Sequence, residues 1–193
     1  MSKFRLIVDG INDGLPIPET FATSVPDGTG AVMAGRNVRP ALTWLDAPAG
    51  THSFAIEVVD RDVPADFADA NKPDRTIPFD APRTSFYHWL VANIPPDVTR
   101  INEAAMPEGQ IGRNSFGERA KGKGGYDGPS PPWNDERVHR YHYIVYALDC
   151  GGLSLRGGFG GKDLEVAIKG HVLGTAQVIG TYTTNSRLLA QTH

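Results

Sequence analysis

The chain has 193 residues, 40% of them hydrophobic and 21% charged, with a net charge of −3. That composition suits a folded domain with a sizeable core and offers no electrostatic footprint for nucleic acid or an anionic membrane surface. The single cysteine, Cys150, excludes an internal disulfide framework and a thiolate metal cluster.

Residues 1–20 lack a basic start leading into an apolar core, and no apolar run is long enough to span a bilayer. The expectation is a cytoplasmic protein. With 22 glycines and 15 prolines, turns are frequent and a β-rich architecture follows. Phe4–Val8 forms a first strand, Asp9-Gly10 and Asp13-Gly14 mark turns, and Pro16 and Pro18 keep the next segment extended. Residues 27–37 read as a loop without periodicity. Residues 38–44 read as an edge or strand-entry segment, closed by the turn at 46–50.

Ser53–Asp60 is a strand with both faces mostly apolar, hence central in a sheet. Beyond it, Asp60-Arg61-Asp62-Val63-Pro64 puts two carboxylates two residues apart, on one side if the chain stays extended. Residues 65–82 are polar, carry Pro73, Pro78 and Pro82, and lack the apolar residues for a core of their own. They read as a surface excursion from a single domain spanning 1–193, bordering a pocket or serving a homodimer contact. Shortening it should cost little stability, because doubling a loop's length changes its closure by only about 0.6 kcal/mol.

Phe86–Ile94 is a second strong strand, with His88, Leu90, Ala92 and Ile94 opposite Tyr87, Trp89, Val91 and Asn93. Residues 97–125 are loop-like. Within them Lys121-Gly122-Lys123-Gly124-Gly125 looks like a phosphate cradle, but it has no Gly-Lys-Ser/Thr ending and no strand-to-helix context. Tyr126-Asp127-Gly128-Pro129-Ser130-Pro131-Pro132-Trp133 cannot be helical, since proline lacks an N–H and restricts the residue before it. Gly128 adds freedom at positive φ, so a stiff, bent loop with few donors tied up is expected. It leads into a strand at 139–148, with Tyr141, Tyr143 and Val145 on one face and His142, Ile144 and Tyr146 on the other. Asp163 is placed to cap a short helix from Leu164 to about His171, and Ala176–Tyr182 forms a last strand. The tail, 183–193, shows no pattern.

Three strand ends thus bring acid or imidazole groups: Asp60 and Asp62, then His88, then His139 and Tyr141. Such groups are costly to bury alone among apolar strand residues and tend to find each other. An Asp beside a His favours imidazolium, and imidazolium with loop N–H groups suits an anion.

Four of these segments, in order, resemble the phosphatidylethanolamine-binding protein family, and most closely its bacterial Raf kinase inhibitor-like branch. They are Asp60 to Pro64, Phe86 to Pro95, Tyr126 to Pro132, and His139-Arg140-Tyr141. Further likeness lies in Pro40 to Trp44, in 46–51 and in 146–149. The resemblance implies a mainly β fold, a large antiparallel sheet packed on a smaller one with one or two short helices. It also implies a pocket for phosphate-like anions at one end of the large sheet. On the matching motifs, Asp60 and Asp62 are the pocket aspartates and His88 the first pocket histidine. Gly128 and Pro131 fall in the loop wall, and His139 and Tyr141 on the following strand. The chain departs from the family's usual Asp-Pro-Asp-Ala-Pro in carrying Arg61 between the acids, and from its usual Ser before Pro40 in carrying Arg39.

The leading functional expectation is a binding protein rather than an enzyme, taking a phosphate or phosphoethanolamine headgroup and acting on a kinase or protease partner. No cofactor and no metal is called for: there is no His-x-x-x-His pair, and the acids can be occupied orienting the histidines. Two alternatives stay open. One is a hydrolase or metal-dependent enzyme using the same Asp/His pocket, although no serine sits in a Gly-x-Ser-x-Gly elbow. The other is a protein-interaction domain whose pocket is vestigial.

Overall fold

The computed structural model describes residues 3–103 and 105–190, so the end of the 183–193 tail lies outside the described residues. In chain order the first strands are β1 (Arg5–Val8), β2 (Ser24–Pro26), β3 (Val32–Ala34), β4 (Leu42–Leu45) and β5 (Ser53–Pro64). They are followed by β6 (Arg83–Ile94), β7 (Arg100–Ile101), β8 (Gln110–Ile111), β9 (His139–Leu148), helix α1 (Gly161–Ala167), β10 (Val172–Tyr182) and helix α2 (Ser186–Leu189). A five-stranded sheet runs β10-β9-β5-β6-β8, a three-stranded sheet runs β1-β4-β7, and β2 and β3 form a small hairpin. All these pairings are antiparallel.

β5 is central, and every residue of it except Arg61 is buried, which is why its two faces are both apolar in sequence. One face of the large sheet, with Phe54, Ile56, Val58, Trp89, Tyr143 and Val145, packs on Leu6, Val8, Leu42 and Trp44 of the small sheet. The opposite face, with Ala55, Val59, Leu90, Ile144 and Leu148, is covered by Leu153, Phe159 and Leu164. Leu164, with no exposed surface, contributes about 1.5–3 kcal/mol relative to leaving it in water.

Several boundaries differ from the sequence reading for identifiable reasons. The helix expected at 164–171 occupies Gly161–Ala167. Asp163 is not its N-cap but sits inside the first turn, where its Oδ2 accepts from the Gly160 N–H at 2.8 Å. Gly170 then turns the chain at φ 88°, and pairing of Val172 with Leu148 starts β10 earlier than Ala176. The β2–β3 hairpin lies partly in the stretch read as loop, because three-residue strands are too short to show alternation.

Residues 65–82 connect β5 to β6 and are mostly exposed, with one anchor. Ile77 is buried and bridges Asp135. The loop is gathered by Asn134: its Nδ2 donates to the carbonyls of Asp69, Lys72 and Arg75 at 2.8, 3.3 and 3.0 Å. Its Oδ1 accepts from Asn71 N at 2.9 Å. A deletion that takes out Asn71 or Ile77 therefore costs more than loop closure. Asn134→Ala is expected to lower stability by about 1–3 kcal/mol, the cost of leaving buried polar groups unpaired. Urea unfolding measures it, and a change within about 0.5 kcal/mol, typical of plain surface sites, would show that the excursion is only a surface appendage.

Candidate functional site

Two β-bulges set the geometry of the site. In the β5–β6 pairing, Val58 faces Trp89 and Val59 faces Tyr87, so His88 is the extra residue. Strict alternation would put His88 on the face opposite Trp89. The bulge re-aims it instead, and its ring lies 5.1 Å from the ring of Tyr141, 5.3 Å from Phe86 and 5.6 Å from Phe116. A second irregularity falls between Asp60, opposite Phe86, and Val63, opposite Thr84. It turns Asp62 away from the direction of Asp60.

Asp60 faces Tyr141 across β5 and β9 and reaches His139 two residues along. His139 Nδ1 meets Asp60 Oδ2 at 2.6 Å, and its Nε2 meets Asp135 Oδ2 at 3.1 Å. Burial opposes a charge on His139, but the bonds to Asp135 and Asp60 outweigh it and raise the imidazole pKa to about 9. This is an imidazolium enclosed by two carboxylates, with no surface exposed. Asp135 is closed off by Arg83 Nη1 at 2.6 Å. The expectation of a charged histidine aimed at an anion thus meets a correction: the charge is on His139, and both its nitrogens are committed.

Asp62 does not join this cluster. Its carboxylate takes Arg140 Nε at 2.9 Å, Arg140 Nη2 at 2.9 Å, Arg140 N at 3.0 Å and Arg137 Nη1 at 3.2 Å. Burial alone would raise its pKa, yet the two guanidiniums bring it down to about 2.

His88 behaves in the opposite way to His139. Its Nδ1 lies 2.7 Å from the Asp127 carbonyl oxygen, which can only accept, so the proton sits on Nδ1 and Nε2 keeps its lone pair. Burial lowers the His88 pKa, overcoming the charge of Asp60 and the Asp127 carbonyl, so the ring is neutral near pH 7.

The loop from Tyr126 to Trp133 is tied down more than its prolines suggested. Asp127 N donates to His88 O at 3.0 Å, Gly128 N donates to Asn37 Oδ1 at 2.8 Å, and Thr23 Oγ1 donates to Gly128 O at 3.0 Å. Gly128 is not in the left-handed region. A Cβ there would stand 1.8 Å from the Phe21 carbonyl oxygen, so close backbone approach is what demands glycine. Pro131 is buried, and its carbonyl accepts from Thr184 Oγ1 at 2.9 Å. Asp127 is buried and accepts from Asn37 Nδ2 and Asn114 Nδ2, both at 2.8 Å.

Asp60, His88, His139 and Tyr141 are thus brought together, while Gly128 follows the Asp127 carbonyl that meets His88 and Pro131 is held by Thr184. Their exposures are 1%, 3%, 0% and 1%. The Tyr141 hydroxyl is buried and makes no hydrogen bond of full geometry among the described residues, although the Asp60 carboxylate and the Ser130 N–H lie close enough to act on it. Burial and then the charge of Asp60 raise its pKa well above the usual phenol range, while the Ser130 N–H acts the other way. Sequence reasoning missed Asp127, Asp135, Arg83 and Arg137. Asp-Gly reads as an ordinary turn, and the run from Asn134 to Arg137 reads as solvated surface. A set of metal-ligating groups whose donor atoms converge lies at the other end of β9, in Asp149, Cys150 and His171. There His171 Nδ1 and Asp149 Oδ1 already satisfy each other at 2.8 Å.

The sequence pattern of the phosphatidylethanolamine-binding proteins matches residues 9–183. The chain belongs to the phosphatidylethanolamine-binding protein family. It is 30% identical over 186 residues to the UPF0098 protein YbhB of Escherichia coli, covering 93% of this chain and 99% of that protein. It is 36% identical over 149 residues to a UPF0098 protein of Methanothermobacter thermautotrophicus, covering 77% and 84%. Among solved structures it is similar to E. coli YbcL, described as a member of the mammalian family, with TM-score 0.71 at 26% identity over 94% of this chain and 99% of that one. The homolog CT736 of Chlamydia trachomatis gives TM-score 0.69 at 28% identity over 94% and 98%. This is therefore a family member of the bacterial YbhB/YbcL type, with the mainly β architecture the motifs implied. Membership supports a binding or regulatory protein in general. Among the described residues, no helix is long and apolar enough to cross a membrane.

Proposed function

We propose that the protein binds a phosphate-like anion, of the kind carried by a phosphoethanolamine headgroup, at the end of the large sheet where Tyr141, His88 and Ser130 meet. The observation that carries this reading is the buried Tyr141 hydroxyl, which makes no hydrogen bond of full geometry and lies near the Asp60 carboxylate and the Ser130 N–H. A buried hydroxyl left wholly without a partner costs about 1–3 kcal/mol, and a ligand oxygen that accepts from Tyr141 in good geometry recovers whatever part of that cost its present neighbours leave. The neutral His88 sharpens the ligand chemistry. With its proton held on Nδ1 by Asp127, Nε2 accepts rather than donates. A dianion would face that lone pair and the Asp60 carboxylate. A phosphate monoanion instead donates its own O–H to Nε2 and accepts from Tyr141 and the Ser130 N–H. A regulatory role through a kinase or protease partner follows from family likeness alone and comes second to the binding step.

Calorimetric titration of phosphoethanolamine and of inorganic phosphate tests this. Tyr141→Phe is expected to weaken binding by roughly ten- to a hundredfold, the worth of a charge-assisted hydrogen bond of about 1.5–3 kcal/mol. Affinity should also fall between pH 6 and pH 8, as the second phosphate ionisation near pKa about 6 turns the monoanion into the dianion. Equal affinities for wild type and Tyr141→Phe at both pH values, with both proteins folded, would end this reading. Tighter binding of phosphoethanolamine than of phosphate would show that the ammonium arm is read as well.

A further inference from the structure

A cleft of about 810 Å³ is lined in part by Asp127, within the range of about 300–1,000 Å³ usual for small-molecule sites. Asp60, His88, His139 and Tyr141 do not line it. Its lining gathers Arg36, Arg39, Arg119, Lys121 and Lys123 in a chain whose net charge is −3. Arg36 comes from the segment after β3, while Arg119, Lys121 and Lys123 come from the glycine-rich stretch before Tyr126. These four are exposed, and among the described residues none is within ion-pair distance of a carboxylate. Most other arginines of the protein, including Arg5, Arg61, Arg75, Arg83, Arg100, Arg137 and Arg140, do have such a partner. Of the two acids in the lining, Asp127 is already satisfied by Asn37, Asn114 and the Lys121 N–H; Glu103 is the other.

Arg39 supplies an independent observation. It is 5% exposed, its guanidinium lies 4.9 Å over the Trp89 ring, and its Nη2 donates to Asn102 O at 2.7 Å and to Ala105 O. Its Nε is buried with no partner, and no carboxylate neutralises it among the described residues. A buried guanidinium without a counter-charge is costly. The loop is built around it: a Cβ at Gly124, whose φ is 65°, would stand 2.6 Å from Arg39 Nη1, and the Gly124 carbonyl accepts from Trp89 Nε1 at 2.7 Å.

We infer that this cleft is a second anion site, separate from the Tyr141 pocket, and that it takes a small molecule bearing two or more linked phosphate groups. Cations from two separate segments of the lining, with the buried Arg39 beside them, carry more positive charge than a single phosphate neutralises. Their spread over two segments favours a ligand whose charges are separated along a chain. Lys121 and Lys123 alternate with Gly122 and Gly124, which lets the backbone close tightly behind them; a Cβ at Gly122 would stand 1.2 Å from the Tyr126 carbonyl oxygen.

Inorganic pyrophosphate is the probe. Wild-type protein is expected to bind it at least about tenfold more tightly than inorganic phosphate, with affinity falling as salt is raised. The indole N–H resonance of Trp89 should shift during the titration, because it is bonded to the loop that forms one wall. Arg119→Ala combined with Lys121→Ala removes two exposed side chains that make no hydrogen bond or ion pair among the described residues, and should weaken pyrophosphate binding by about tenfold or more. Arg36→Ala, on the other segment, should weaken it too. Tyr141→Phe should leave it unchanged. The inference is overturned if pyrophosphate binds no better than phosphate, if the double variant binds as wild type does, or if Tyr141→Phe abolishes the binding and so places it in the other pocket.

Discussion

His139→Ala is expected to lower the stability of the protein by about 3–5 kcal/mol at pH 6, the cost of breaking a buried ion pair from one side. The imidazolium sits between Asp60 and Asp135, and removing it leaves two buried carboxylates facing one another across the space it filled. Each keeps some support. Asp60 Oδ1 still accepts from Asp62 N at 2.8 Å, and Asp135 still holds Arg83. That support keeps the cost within the range rather than beyond it. Urea unfolding of both proteins gives the number. A loss below about 1 kcal/mol, the worth of one ordinary hydrogen bond, would mean that His139 is not an ion bridging the two acids.

The same ion pair carries a pH signature whose sign is fixed. The folded-state pKa of His139 is about 9, above the value of 6.5 for the free side chain. Below pH 6.5 both states hold the proton and the full stabilisation is present. As pH rises the unfolded chain gives up its proton first, so the folded state binds more protons and stability falls. The contribution is gone once pH has passed through the folded pKa. A shift of this size is on the order of 3 kcal/mol. The stability gap between wild type and His139→Ala should therefore narrow by about that amount between pH 6 and pH 9.5. Taking the difference between the two proteins cancels the titration of groups that do not touch His139, and Asp60 and Asp135, which do, are carboxylates that titrate at the acid end of the range. A gap that stays constant across the range would show that the histidine is neutral throughout.

What the sequence makes legible is whatever a single strand or a single turn determines. β5 and β9 announce themselves because burial on both faces writes apolar residues at both parities, and both appear where the alternation placed them. Gly128, Pro131, His139 and Tyr141 are legible as a loop and strand entry for the same local reason. The aim of His88 is not, because a bulge is a relation between two strands and neither sequence contains it. The same holds for Asp62, which a second irregularity hands to Arg137 and Arg140 instead of to a histidine. Asp135 was hidden by its neighbours: it lies in the run Asn134-Asp135-Glu136-Arg137, which has the look of solvated surface. It is buried because Arg83 and Asn185 arrive from distant segments and close over it beside its near neighbour His139, Asn185 donating to its carbonyl at 2.7 Å. Burial of a charge is set by where its partners fold, and those partners are 52, 4 and 50 residues away.

Gly128→Ala is expected to cost about 3–5 kcal/mol, from overpacking of about 1–3 together with buried hydrogen bonds of about 0.5–1.5 each. The atom a Cβ would strike at 1.8 Å is the Phe21 carbonyl oxygen, with the Phe21 carbonyl carbon at 2.9 Å behind it. Neither can step aside as a flexible side chain would. Phe21 ends the short 3-10 turn Glu19–Phe21, which is closed by Phe21 N to Pro18 O and Ala22 N to Glu19 O, both at 3.0 Å. The two segments must part instead, and parting them strains the bonds from Gly128 N to Asn37, from Thr23 Oγ1 to Gly128 O and from Thr23 N to Pro129 O. The displacement cannot stay local. Asp127 precedes Gly128 and its carbonyl fixes the tautomer of His88, while Ser130 follows and brings its N–H towards Tyr141. The variant should therefore lose phosphoethanolamine binding as well as stability, even at temperatures where it remains folded. Gly151→Ala is the matched control, because a Cβ there meets nothing within 4 Å and its φ lies outside the left-handed region. It should stay within about 0.5 kcal/mol of wild type. If Gly128→Ala matches that control in unfolding midpoint, the approach of Phe21 to the loop is looser than 1.8 Å implies. If it is destabilised yet binds phosphoethanolamine with unchanged affinity, the loop supports the fold without shaping the pocket.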